Sequence, residues 1–256
     1  MSSFKLSTRT LELLALLGAS YDRDFYHSHR DEIETYIIEP ARYLVIEVGE
    51  RLRKVFPDLV VEPKVDRSIY RLYRDVRFSP DKHPYKGHLG LIWWDGKIAG
   101  KLQSPSFYFH LTAEGWLWST GVYSFSPAAL AAWRRALLDQ KTGAEFLKIA
   151  SKMAGLGLSF SQPELKRSPT GFDNPKTENW ARYKGLYTWM DLNEHDKKLF
   201  GPKAASLIVD HFLSTESLYR YLRRLYDDRR PNEEIPASIK PKTAAVKRNT
   251  SYQYDF

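Results

Sequence analysis

The chain has 256 residues, 43% hydrophobic and 14% aromatic, which is enough apolar material for a sizeable core and too much for a disordered polypeptide. It contains no cysteine, so disulfides, thiolate metal sites and cysteine nucleophiles are excluded, which fits a reducing compartment. The formal net charge of +8 leaves nucleic acid, phosphorylated metabolites and acidic surfaces open as partners.

The start, Met1-Ser-Ser-Phe-Lys-Leu-Ser-Thr-Arg9, lacks the charged-then-apolar pattern of a secretory signal, and no apolar run approaches the ~20 residues needed to cross a bilayer. The expectation is a soluble cytoplasmic protein with no membrane partner. Leu11, Leu14, Ala15 and Leu17 recur at helical spacing before Gly18 and predict a first amphipathic helix. Ile33, Ile37, Leu44, Val48, Leu52 and Val55 form a longer helical stripe that stops before Pro57, and Pro40 should kink or divide it.

From about Ile69 the period changes to alternation and predicts a strand. Tyr70, Leu72, Val76 and Phe78 share one face, and Arg71, Tyr73, Asp75 and Arg77 the other; Arg74 falls on the apolar side and needs a partner there. Further strands are expected over Leu89–Trp94, Ser106–Leu111 and Trp116–Phe125, separated by turns at Asp95-Gly96 and Glu114-Gly115. Ser126-Pro127 reads as an N-cap and first-turn proline for a helix through Leu138, with another over Ala144–Ala154. Residues 155–173 read as a short strand plus loop, and helices are expected over Thr177–Met190, Lys203–Leu213 and Thr215–Tyr226, the last capped by Ser214 or Thr215. After Arg229 the apolar content collapses. The predicted architecture is one α+β domain, residues 1–228, with a mostly antiparallel central sheet covered by N-terminal and C-terminal helices, followed by a flexible basic tail, residues 229–256.

The densest chemistry lies between Arg67 and Lys86, which holds six basic and two acidic residues in a segment that reads as structured. Arg71, Asp75 and Arg77 on one strand face make a polar stripe ~20 Å long, able to grip a phosphate or carboxylate bidentately while Asp75 orients a guanidinium or acts as a base. The turn Ser79-Pro80-Asp81 and the extended His83-Pro84 pair present Lys82, Tyr85 and Lys86 in a fixed geometry. The competing explanation is an internal network in which Asp75 and Asp81 neutralise the arginines and nothing binds. His110, beside Tyr108 and opposite in sense to Phe107, Phe109 and Leu111, faces the polar side of its strand and is a candidate proton-transfer group together with Asp75 and Asp81.

No His-Glu-x-x-His, glycine-rich phosphate loop, dinucleotide fingerprint or Gly-x-Ser-x-Gly elbow is present, and no metal or cofactor is expected. Trp93, Trp94, Trp116, Trp118, Tyr108 and Tyr123 could stack on bases, although aromatics in sheet strands are more often core.

The run Tyr70-Arg-Leu-Tyr-Arg-Asp-Val-Arg-Phe-Ser-Pro-Asp-Lys-His-Pro-Tyr-Lys86 closely resembles the signature of the conserved family called Domain of Unknown Function 2461. Weaker blocks follow in the same order: Phe25–Arg30, Phe107–His110, Gly121–Phe125, and Lys166–Phe172 leading to Tyr183-Lys184. The chain departs from the family pattern at Tyr21-Asp22, Phe25-Tyr26 and Thr120-Gly121. The resemblance implies an α+β domain with a helical cover and no activity, and it adds Lys166 and Lys184 to the cationic set. The functional expectation is therefore a small anionic ligand held by Arg71, Arg74, Arg77, Lys82, Tyr85, Lys86, Lys166 and Lys184, with acid–base chemistry as an option. A nucleic-acid-binding module and a scaffold with a purely structural arginine network are the alternatives.

Overall fold

The computed structural model describes residues 5–77, 79–98, 100–172 and 174–228; the expected tail, 229–256, lies outside the described residues. Helix α1, Thr8–Ala19, opens with a capping box: Ser7 accepts from the Thr10 amide, and the Ser7 amide donates to Thr10 Oγ1 at 3.0 Å. After the short helices α2, Phe25–Ser28, and α3, Arg30–Ile33, the chain runs through a π-helical turn, Glu34–Ile38, into α4, Glu39–Arg53. The long helical stripe is divided just before Pro40 by this wider turn, and Pro40 sits in the first turn of α4. Proline has no N–H for the carbonyl of Tyr36, four residues back. Thr10 Oγ1, fully buried, donates to that carbonyl at 2.6 Å instead, so α1 supplies the bond that proline removes.

The sheet has five strands: β1, His88–Trp94; β2, Ser106–Thr112; β3, Trp116–Val122; β4, Ser159–Phe160; and β5, Leu186–Leu192, in the order β1-β2-β3-β5-β4. All pairs are antiparallel, and with helices from both ends of the chain the fold is α+β. Between β3 and β4 come α5, Pro127–Leu138, and α6, Gln140–Gly155; after β5 come α7, Ala204–Ser214, and α8, Glu216–Arg224. Ser126 caps α5 as expected, its hydroxyl accepting from the Ala129 amide at 3.2 Å. Thr215 precedes α8 without capping it; its hydroxyl donates to the Phe212 carbonyl at 2.7 Å and shares a second hydrogen bond with Thr120 Oγ1 of β3 at 2.8 Å.

Two expectations fail. The helix predicted over Thr177–Met190 is a short 3-10 turn, Asn179–Arg182, followed by strand β5, which fills the place between β3 and β4. Leu186 and Thr188 point into the core while Tyr187 is partly exposed, an alternation that the β-forming Tyr187-Thr188-Trp189 run supports. The strand predicted from Ile69 is no regular strand. Ser68 and Tyr70 each make one bond to β1, Ile92 N to Ser68 O and Tyr70 N to Gly90 O, both 2.9 Å. The chain then peels away and pairs with itself: Lys86 N donates to Leu72 O at 2.6 Å and Arg74 N to Pro84 O at 2.9 Å. The predicted alternation nevertheless survives, with Tyr70 and Leu72 buried, Arg74 and Val76 half-buried, and Arg71, Tyr73, Asp75 and Arg77 exposed.

The sheet faces differ in chemistry. Leu89, Leu91, Trp93, Phe107, Phe109, Trp116 and Trp118 point to the helices and join the main core with α1, α4, α7 and α8. Trp93 Nε1 donates to the Val45 carbonyl at 3.0 Å, which ties α4 to β1. Stripping a fully buried aromatic ring from such a layer costs about 3–5 kcal/mol. Trp94 and Tyr108 are buried on the other face, so the aromatics considered for base stacking are, apart from half-buried Tyr123, interior. That second face carries His88, Gly90, Ile92 and Trp94 from β1, Tyr108 and His110 from β2, and Leu117 and Ser119 from β3. Tyr70 packs on Ile92, Trp94, Tyr108 and Leu117 there. Gly121 fits the pairing of β3 with β5 because its φ of 153° lies where side chains are strained and an added Cβ would stand 2.3 Å from the Leu186 carbonyl oxygen.

Candidate functional site

The cationic segment divides into two parts. Its outer part, 73–83, closes on itself. Arg77 holds Asp75 with two bonds, Nε to Oδ1 at 2.9 Å and a terminal nitrogen to Oδ2 at 2.7 Å, a fork geometry suited to guanidinium and carboxylate. Arg74, on the inner side as predicted, meets Asp81, which also accepts from the His83 amide at 3.0 Å and lies 2.6 Å from His83 Nδ1. Lys82 donates to the Val76 carbonyl at 3.0 Å. These pairs hold the Asp75 carboxyl down at about 2, chiefly through the Arg77 bond, and push Asp81 lower still through the His83 amide and then Arg74.

Aromatic rings pin this loop to the N-terminal helices. Tyr85 is buried, and its hydroxyl donates to the Arg23 carbonyl at 2.6 Å while accepting from the Tyr26 amide at 3.2 Å. Tyr26 packs on Tyr73 at 4.9 Å and Tyr21 on His83 at 3.8 Å. Positions 21 and 26, where the chain departs from the family pattern, thus become part of the loop's seat.

The inner part, Tyr70, Arg71 and Lys86, lies against the second face of the sheet. Lys86 is 6% exposed, and its Nζ stands 5.5 Å from the Tyr70 ring centre; Lys101, from the loop between β1 and β2, approaches the same ring to 4.2 Å. Lys101 Nζ also donates to the carbonyls of Asp66 and Arg67, both at 3.1 Å. Beneath them His110 and His88 stack with centres 4.2 Å apart, and His110 Nδ1 lies 3.0 Å from the Tyr108 hydroxyl. Gly90, opposite His110 in the register, leaves room for that hydroxyl: an added Cβ would stand 2.9 Å from it.

The electrostatics of this face are positive. Burial first and the charge of Lys86 second push His110 down to about 4, so the imidazole is neutral at pH 7. Burial lowers Lys101, with Arg67 and Arg71 acting in the same direction and Asp66 opposing them. Burial also raises the Tyr70 phenol well above its ordinary value.

The structure therefore brings Lys86 and His110 together, with exposed Arg71 within electrostatic reach of Lys101. Arg74, Asp75, Arg77, Asp81 and Lys82 form a separate, outward-facing network. Lys166 is exposed, and Lys184 is half-buried, its backbone amide donating to Glu164 at 2.7 Å; no described contact joins either to Lys86 or His110. Sequence reasoning missed His88 and Lys101, and named Tyr108 only as a neighbour of His110 and a possible stacking ring. The period of β1 places His88 on the same face as Gly90 and Ile92, so it was readable as a neighbour of His110 once strand pairing was assumed; Lys101 sits in a turn with no period to read.

No helix among the described residues is long and apolar enough to cross a membrane. No curated protein and no solved structure matches the chain. The family model of a conserved hypothetical protein, DUF2461, matches residues 9–221, most of the chain and all of the elements above except the first residue of α1 and the end of α8, and the protein belongs to that family.

Proposed function

We propose that the protein binds a small anion, phosphate- or carboxylate-bearing, over the second face of the sheet, with Lys86, Lys101 and Arg71 as its cationic contacts and Tyr70, Tyr108 and the His88–His110 stack as its floor. The observation that carries the reading is a convergence of cations: two ammonium groups share the Tyr70 ring, and Arg67 and Arg71 act against the charge of Lys101, opposed by Asp66. An anion relieves such repulsion, and partial burial strengthens the attraction.

Binding fits better than proton transfer. Asp75 at about 2, Asp81 below it and His110 at about 4 are all unprotonated and weakly basic at pH 7, away from the range in which a general acid or base works best. The outer arginines already hold carboxylates, so in this reading they make no contact with the ligand.

Titration of the protein with inorganic phosphate and with citrate tests the reading. Lys101→Met and Arg71→Ala should each weaken binding about tenfold, the loss of one charged hydrogen bond, while Arg77→Ala should leave it unchanged. Binding by wild type that none of the inner variants alters, or no binding at all, would overturn the reading.

A further inference from the structure

On the helix side of the molecule, away from the lysine face, the segment after α4, helix α6 and helix α8 enclose a cleft of about 540 Å³, within the range of small-molecule sites. Its floor is aromatic and aliphatic: Phe56, Ile149, Tyr219 and Tyr221 are each less than a tenth exposed. The floor is also rigid, because Tyr219 stacks on Phe107 of the sheet at 4.8 Å and 7° and touches Phe56 at 4.5 Å.

Among the described residues, Ser217 Oγ in the lining is buried without a hydrogen-bond partner. Tyr219, 3% exposed as a whole, lines the same cleft, and its hydroxyl makes no hydrogen bond to another described residue. Buried polar groups are ordinarily satisfied, so the Ser217 hydroxyl points to a ligand that supplies its partner, with the Tyr219 hydroxyl free to join it.

The charges in the wall indicate the ligand's sign. Its acids are occupied: Asp95 by Arg223 at 2.7 Å, Glu145 by Arg224 and Asp58 by Lys97 at 2.7 Å. Arg220 is held by Glu216 at 2.6 Å and lies over the Phe56 ring. Among the described residues Lys148 alone of the lining bases has no ion pair, Arg220, Arg223 and Arg224 each holding an acid. A cationic guest would meet four bases whose neighbouring acids are spent, whereas an acid finds Lys148 open at the rim and hydroxyl donors below.

The geometry points to a second binding site, here, for a small amphipathic carboxylate: an apolar or aromatic body on Phe56, Tyr219 and Tyr221, with its carboxylate directed to Lys148 and hydrogen-bonded by the tyrosine or serine hydroxyl. The site is separate from the lysine face proposed above to hold an anion.

Isothermal titration of the full chain with 2-naphthoate and octanoate, against octylammonium and 1-octanol, tests it. The acids should bind at least tenfold tighter than the ammonium. Lys148→Glu, at an exposed position with no bonds to lose, should weaken the acids fivefold or more and leave octanol unchanged. Tyr219→Phe, which keeps the ring packing, should weaken the acids severalfold, and Lys101→Met should have no effect. Failure of folded wild type to bind either acid, ammonium binding as tight as acid binding, or acid binding indifferent to both Lys148→Glu and Tyr219→Phe would overturn the proposal.

Discussion

Acid should destabilise this protein through His110, beginning as pH falls below the ordinary imidazole value. The imidazole is packed against His88 and Tyr108, feels the charge of Lys86, and takes a proton only near pH 4, against an ordinary value of 6.5. As pH falls below 6.5 the unfolded chain binds the proton first, so stability present above that pH is lost progressively down to about 4 and then no further from this group. Integrated between these two values, the loss at pH 4.5 is roughly 2.5 kcal/mol, a slope near 1.4 kcal/mol per pH unit. His110→Gln removes the titration while keeping an acceptor for the Tyr108 hydroxyl. Urea unfolding followed by tryptophan fluorescence at pH 8, 6.5, 5.5 and 4.5 gives stability against pH for both proteins. His211, also lowered by burial, and the self-repulsion of the net positive chain act on both and cancel in the difference. Asp75, held near 2, loses its pairing only below the window. The curve for His110→Gln should be flatter by about 2 kcal/mol or more between pH 6.5 and 4.5. Parallel curves would show that His110 is solvated and protonates freely, and the description of the sheet's second face as buried and positive would fall with it.

Two further substitutions probe the packing around the candidate sites. Arg223→Met would leave Asp95, whose side chain is 3% exposed, without its guanidinium; the cost should approach the ~3–5 kcal/mol of a broken buried pair, read as a lower midpoint in urea, and a loss under 1 kcal/mol would mean that water reaches Asp95. Tyr85→Phe removes a hydroxyl serving both Arg23 O and Tyr26 N, so stability should fall by about 1–3 kcal/mol while phosphate affinity stays constant; a change in affinity at unchanged stability would make Tyr85 a contact of the ligand.

Side-chain period told which residues of the cationic segment face inward, and it did so correctly for Tyr70, Leu72 and Arg74. It could not tell which backbone the segment pairs with. After two bonds to β1 the chain bonds to itself across Tyr73 and Tyr85, because the aromatic seat formed by Tyr21, Tyr26 and Tyr85 is a tertiary arrangement with no local signature. The stripe of Arg71, Asp75 and Arg77 was legible as chemistry, yet the i to i+2 bond between Asp75 and Arg77 shows that same-side residues in a loose chain can satisfy one another. Strand β5 was missed for a related reason: Trp180, Tyr183 and Tyr187 suit a helix face as well as a strand, and Gly185 was the available sign of a break. The Thr10 bond that lets α4 pass Pro40 joins residues far apart in sequence and could be found only in three dimensions.

The strand order has a consequence during synthesis. Strands β1, β2 and β3 form a local meander complete by Val122, whereas the partner of β3 begins only at Leu186. At roughly 5–20 residues per second, several seconds separate the two on the ribosome. Through that interval the long, tryptophan-bearing margin of β3 presents unpaired backbone groups, the kind of margin that recruits other chains. Helices α5 and α6 emerge in the gap, and the nascent chain depends on them, or on a chaperone, to shield that margin until β5 arrives and closes it.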